Sequence, residues 1–159
     1  MNFELTQEQK LIKQTAKDFA QNELLPGILD RDENKIWPAE AVKKMGELGF
    51  MGMMASPDYN GGGMDTISYV IAMEEIAKVD AAASVIMSVN NSLVCSLLQK
   101  YANSFQKEKY LSKLTKGDLL GAFSLSEPQS GSDASNMLTF AKKTPEGYLL
   151  NGTKNWVTN

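Results

Sequence analysis

The apolar residues of this chain change period once, and that change limits what it can fold into. From Thr6 to about Leu114 they recur at the three- and four-residue spacing of helices that bury one face; beyond Gly117 they fall into short runs broken by Gly, Pro, Ser and Asn. The pattern predicts a mainly α chain, with an all-α domain over residues 1–117 followed by short strands and loops over 118–159. The second part holds about 42 residues, fewer than an isolated β unit normally needs to bury a core.

Punctuation residues divide the helical part. Thr6 and Gln9 have the spacing of a capping box, so a first helix begins at Thr6, buries Leu11, Ile12, Thr15, Ala16 and Phe19, and stops at Pro26. A second opens on Pro38 and closes at Gly49 after Ala41, Val42, Met45 and Leu48. Gly61, Gly62 and Gly63 have neither the spacing nor the flanking Lys-Ser/Thr of a phosphate loop, and predict a tight connection. A third helix over 65–79 presents Val70, Ile71, Glu74 and Ile76. A fourth over 81–101 carries Val85, Ile86, Val89, Leu93, Leu97 and Leu98, and a fifth over 105–114 is capped by Ser104.

Composition excludes several chemistries. Histidine is absent and Cys95 is the sole cysteine, which removes a disulfide framework, a Cys/His zinc site and every Ser/His or Cys/His catalytic pair. The net charge is −3 with no basic stripe, so nucleic acid is not an expected partner. The polar N-terminus, 1–10, lacks a secretory pattern, and the most apolar window, 79–89, is about half the length of a bilayer span. The sequence reads as a soluble intracellular chain without a membrane span.

Two places carry polar groups where chemistry is expected. The run Ser88, Val89, Asn90, Asn91, Ser92 interrupts an apolar helix; it is either a satisfied internal network or the wall of a polar pocket, and the need of buried amides for partners favours the network. After an expected buried strand over 119–125 comes Glu127-Pro-Gln-Ser-Gly-Ser-Asp133, a loop whose bends and hydroxyls suit a polar heterocycle or a phosphate, though such loops often only connect. A second strand is expected over 136–143, with turns at Glu146-Gly147 and Asn151-Gly152. A last strand places Trp156 and Thr158 on one face, either a stacking plane beside a hydroxyl or an ordinary core pair.

Ala122 to Asp133 (AFSLSEPQSGSD) and Asn151 to Asn159 (NGTKNWVTN), in that order and separation, resemble the signature of the acyl-CoA dehydrogenase family. Ile71 to Ile76 (IAMEEI) and Val85 to Leu93 (VIMSVNNSL) look like its short-chain, butyryl-CoA type members. The resemblance runs over essentially the whole chain. It implies the N-terminal α-helical domain of that fold followed by the first strands of its β-barrel-like middle domain. It also implies a flavoenzyme that oxidises a short acyl-CoA to the trans-2-enoyl-CoA, a Glu carboxylate taking the α-proton while hydride passes from the β-carbon to FAD N5.

Carried over residue by residue, the resemblance assigns FAD contacts to Phe123, Leu125, Ser126, Gly131, Ser132, Trp156, Val157 and Thr158. Ser132, Asn90, Asn91, Ser92 and Leu93 fall to the substrate. The family's base lies beyond Asn159; Glu74, Glu75 and Glu127 do not match it, so no catalytic residue is assigned and residues 1–159 alone are expected to be inactive. Implied partners are the acyl-CoA, an electron-transfer flavoprotein as acceptor and three further copies in a homotetramer, in the bacterial cytoplasm or mitochondrial matrix. An acyl-CoA oxidase of the same fold and a flavin-free helical interaction module are the alternatives. Two residues depart from the pattern: Phe123 stands where the family has Tyr, and Gln129 where it has Gly, whose freedom at positive φ a Gln lacks.

Overall fold

The computed structural model describes residues 4–159; Met1–Phe3, part of the polar N-terminus above, lie outside the described residues. The chain packs as two compact units, one ending at Gly121 and one spanning Ala122–Asn159.

Six helices make up the described part of the first unit. Helix α1 (7–24) runs as an α segment, Gln7–Phe19, into a π segment, Ala20–Leu24. Its start is the expected capping box: Thr6 Oγ1 accepts from Gln9 N–H at 3.2 Å and Gln9 Oε1 accepts from Thr6 N–H at 3.1 Å. Helix α2 is Ile28–Asn34, α3 is Ala39–Glu47 and α4 is Thr66–Ala77. Helix α5 is one rod, Ala81–Tyr101, with a π segment at Val89–Cys95 between two α segments. Helix α6 (104–114) likewise encloses a π turn, Lys107–Leu111.

Ile12, Ala16, Phe19 and Leu24 of α1 meet Met45 of α3, Tyr69, Ala72 and Ile76 of α4, and Ala83, Ile86 and Met87 of α5, with Phe50, Met51 and Met53 filling the centre. Phe19 and Phe50 pack at 5.8 Å between centroids, tilted by 60°, the geometry that aromatic quadrupoles favour. Ala55, Cys95, Leu111 and Leu114 form a second cluster under α6.

The faces of the helices lie partly elsewhere than their periodicity predicts. Leu11, Leu48, Val70 and Val85 are exposed, while Gln9, Tyr69, Ala72 and Glu75 are buried. An apolar stripe read from sequence can be laid one residue to either side, and the packing partner decides. Glu75 takes an inward position because Lys78, 2.8 Å away, and Lys13, 3.6 Å away, accompany it. Helix α2 has no buried residue and hence no apolar stripe to read; Arg31 holds it, donating to the Leu24 and Pro26 carbonyls and pairing with Asp80 at 3.3 Å. The cap of α6 is Asn103, in a capping box with Gln106, one residue before the Ser104 expected from the sequence.

The membrane argument from residues 79–89 also needs correction. Helix α5 is a continuous 21-residue rod of mean hydropathy 1.6, long and apolar enough by those measures alone to cross a bilayer. Here it packs against α4 and the 50–53 loop as a core helix, with Asn90 and Asn91 fully buried in its middle.

The glycine run is a tight connection, as its spacing predicts. Met64 N–H donates to the Met53 carbonyl and Gly63 N–H to that of Ala55, both at 2.8 Å, and a Cβ on Gly61 would lie 2.1 Å from the Ala55 oxygen.

The second unit contains one antiparallel hairpin, β1 (Phe140–Thr144) and β2 (Gly147–Asn151), in register Phe140 opposite Asn151 and Thr144 opposite Gly147. Its turn is Pro145-Glu146, one residue before the Glu146-Gly147 expected from the sequence, and Gly147 opens β2 opposite Thr144. Asn151-Gly152 does not turn a second hairpin; Gly152, at φ +155°, passes Thr139 so closely that a Cβ would come within 2.1 Å of its Oγ1. The strands expected over 119–125 and 156–158 are absent: both segments are irregular, with no partner strand among the described residues. An apolar run becomes a strand only where a neighbour takes its backbone groups.

Candidate functional site

In the first unit, the polar cluster of α5 is an internal network. Asn90 Nδ2 donates to the carbonyls of Met51 at 2.7 Å and Leu114 at 3.1 Å, and its Oδ1 accepts Gly121 N–H at 2.9 Å. Asn91 Nδ2 donates to Phe50 and Met87 carbonyls at 2.7 and 2.9 Å while its Oδ1 accepts Met53 N–H at 2.8 Å. Two adjacent amides can point inward together because the π turn at 89–95 displaces the helical register. Both are spent on the backbone; among the four residues named here for substrate, half-buried Ser92 and exposed Leu93 retain surface to offer.

In the second unit, the 127–133 loop closes on itself. Glu127 N–H donates to the Ser130 carbonyl at 2.8 Å and Ser130 N–H returns a bond to the Glu127 carbonyl at 3.1 Å, leaving Pro128 and Gln129 at the corner. Gln129 is not among the residues with positive φ, so the turn accepts it without left-handed strain. Ser130, buried, donates from Oγ to the Asp133 carbonyl at 2.7 Å and is a structural residue.

Glu127 is the hub of this unit. Its carboxylate accepts from Lys154 Nζ at 2.8 Å, Leu138 N–H at 2.6 Å, Thr139 N–H at 3.0 Å and Gln129 Nε2 at 2.5 Å. The ammonium of Lys154, joined by these backbone donors, holds the carboxyl far below the usual carboxylate range. Lys154 also donates to the Leu125 carbonyl at 2.9 Å, and Asn155 N–H donates to the Ser126 carbonyl at 2.8 Å. The two segments singled out by sequence are therefore joined side by side at 125–127 and 154–155. Sequence reasoning passed over Glu127 and Lys154 as site builders; the only signal was an acidic residue in one motif and a basic one in the other, where Asp133 is the sole further charge.

Around this junction the residues named for FAD keep their polar groups available. The hydroxyls of Ser126, Ser132 and Thr158 make no hydrogen bond among the described residues, and neither do the backbone N–H groups of 123–126 and 156–158. A Cβ on Gly131 would meet nothing within 4 Å. Trp156 is 91% exposed at φ +58°, so its ring is turned outward by a left-handed residue. That replaces the shared strand face expected for Trp156 and Thr158. Phe123 is half-buried, and Leu125 and Val157 are exposed. An edge of unsatisfied N–H and hydroxyl groups beside an unpacked indole fits the polar rim and flat face of a flavin.

Both units resemble known proteins. Residues 6–118 match the family model for the acyl-CoA dehydrogenase N-terminal domain and residues 122–159 that for the middle domain. The short-chain specific acyl-CoA dehydrogenase of Clostridium acetobutylicum is 43% identical over all 159 residues, which span 42% of its length. Mammalian relatives carry names of mitochondrial short-chain specific enzymes. Among solved structures, the butyryl-CoA dehydrogenase of Megasphaera elsdenii superposes with a TM-score of 0.91 at 37% identity, over 99% of this chain and 42% of that one. A chain solved in work on the electron-transferring flavoprotein of Acidaminococcus fermentans reaches 0.95 at 39% identity, over 99% of this chain and 41% of its own. Structures similar to this chain have been solved with FAD or its reduced form. With both domain models matched across its two units, the chain belongs to the FAD-dependent acyl-CoA dehydrogenase family.

Proposed function

We propose that a protein carrying these domains oxidises short-chain acyl-CoA thioesters to trans-2-enoyl-CoA. The observation that supports this reading most directly is the junction of 125–127 with 154–155, which leaves donors and an exposed indole on one unit. Bound FAD would supply the acceptor for the hydride leaving the β-carbon.

The roles of this chain's own residues are those the family resemblance assigns, and the groups each has free are compatible with them. Ser126 and the N–H groups near Phe123 and Leu125 bind the flavin's pyrimidine edge, and Thr158 bonds on the side of N5 and O4. Trp156, with Val157 beside it, covers the ring system and excludes water from it. Gly131 permits close approach, and Ser132 touches flavin or the CoA arm. Leu93 and Ser92 offer surface to the acyl chain, while Asn90 and Asn91 act on that wall indirectly by fixing the helix that carries it. The α-proton goes to a Glu that this chain does not supply: Glu75 is committed to Lys13 and Lys78, and Glu127 to four donors. Electron-transfer flavoprotein as acceptor, a homotetramer, and a place in the bacterial cytoplasm or mitochondrial matrix complete the proposal; the named bacterial and mitochondrial relatives support the last.

Anaerobic addition of butyryl-CoA to the flavin-loaded protein is expected to bleach the flavin absorbance, with electron-transfer flavoprotein restoring it. No bleaching with any saturated acyl-CoA overturns the dehydrogenase reading. Stoichiometric hydrogen peroxide in air marks an oxidase instead, and a colourless protein that takes up no FAD marks the interaction module.

A further inference from the structure

Within the second unit one charged pair is almost wholly removed from water. The Glu127 side chain is 2% exposed and that of Lys154 22%, at 2.8 Å. Desolvation offsets most of what a buried pair gains by attraction, so such a pair contributes position more than net stability. The position is specific here. Glu127 follows Ser126 directly and Lys154 stands two residues before Trp156. The same ammonium reaches the Leu125 carbonyl, and the same carboxylate collects the N–H groups of Leu138 and Thr139 at the entrance to β1.

We infer that Glu127 and Lys154 are positioning residues for flavin: their ion pair sets the spacing between the donor edge at 123–126 and the indole at Trp156, and so tunes FAD affinity and the potential of the bound flavin. The inference rests on the flavoenzyme reading above. Alternate positions in a regular strand would hold Trp156 in place by a ladder of backbone bonds. Here there is no strand at 156–158, and the bonds from Lys154 and Asn155 do that work instead.

The test uses the flavin-loaded protein and its flavin-stripped form. Lys154→Met keeps the aliphatic stem and removes the charge. It is expected to weaken FAD about tenfold, the scale on which groups one step removed from a ligand act. It should also shift the flavin's visible circular dichroism and midpoint potential. Lys154→Arg, which restores the charge, should recover most of both. Lys154→Gln, which keeps a donor to the Leu125 carbonyl, replaces the Met variant if that one does not fold, with the same expectation. The inference is overturned if the neutral variants lose thermal stability yet bind FAD within about twofold of the parent with unchanged spectrum and potential, a difference too small for a positioning role. Failure of the parent protein itself to take up FAD overturns the flavoenzyme reading instead, so the two failures are distinguishable.

Discussion

The side-chain oxygen of Asn90 accepts the backbone N–H of Gly121 at 2.9 Å, which ties the middle of α5 to the residue that closes the helical unit. The same amide spans the Met51 and Leu114 carbonyls, so one fully buried side chain fastens a core loop, the end of α6 and the end of the unit. Replacement by Ala leaves several buried polar groups without partners and is expected to cost roughly 3 kcal/mol. Urea unfolding monitored by far-ultraviolet circular dichroism checks this; a midpoint unchanged from the parent would show that water replaces the amide freely.

Glu75 makes the helical unit acid-sensitive. The Lys78 ammonium, bonded at 2.8 Å, and Lys13 across the α1–α4 contact hold its carboxyl below the ordinary value of 4.5 against the opposing effect of burial. A folded-state value below the unfolded one means that this contribution is complete above the unfolded value and is lost as pH falls through the folded one. Melting temperature should therefore be flat from pH 7 to 5.5 and fall below about pH 4.5. In Glu75→Gln the fall should be shallower and the neutral-pH stability lower; parallel pH profiles for the two proteins would exclude Glu75 as its source.

The legible parts of this structure are those whose cause is local. The capping box of Thr6 and Gln9 and the hairpin turn depend on residues within one turn of chain; the box stands where the spacing puts it, and the turn lies within one residue of its expected place, at Pro145-Glu146. The network reading of Asn90 and Asn91 followed from a general rule on buried amides, although their five backbone partner residues outside α5 could not be named in advance. The two missing strands failed for the opposite reason, since pairing depends on a neighbour that periodicity does not reveal. The Glu127–Lys154 pair spans 27 residues and joins two loops, a relation that neither spacing nor composition encodes. Family resemblance marked both segments without indicating what holds them together.

Two glycines separate steric from conformational need. A Cβ on Gly61 would sit 2.1 Å from the Ala55 carbonyl oxygen, so backbone must move, and Gly61→Ala is expected to cost roughly 3 kcal/mol. At Gly49 nothing lies within 4 Å, but φ is +79°, and Gly49→Ala should cost only the left-handed penalty, about 1 kcal/mol. Melting curves of the two variants give the order directly; equal losses would mean that the 52–64 connection yields to the added methyl.

Trp156 supplies the sharpest separation of stability from function. A bulky residue at φ +58° is held in a sparsely occupied region, and its ring, 91% exposed, gains almost nothing from packing within the chain. Trp156→Gly removes an unburied ring and admits the left-handed backbone freely. The flavin-stripped protein should then keep its stability to within about 0.5 kcal/mol. Affinity for FAD should fall about tenfold, the worth of a lost aromatic stack with its buried area. Trp156→Phe should retain most of the binding, because a six-membered ring still covers the flavin face. Titration of each flavin-stripped variant by quenching of FAD fluorescence, beside its melting curve, measures both quantities. A Gly variant that melts several degrees lower yet binds FAD like the parent would make Trp156 a structural residue and move the flavin-covering role elsewhere.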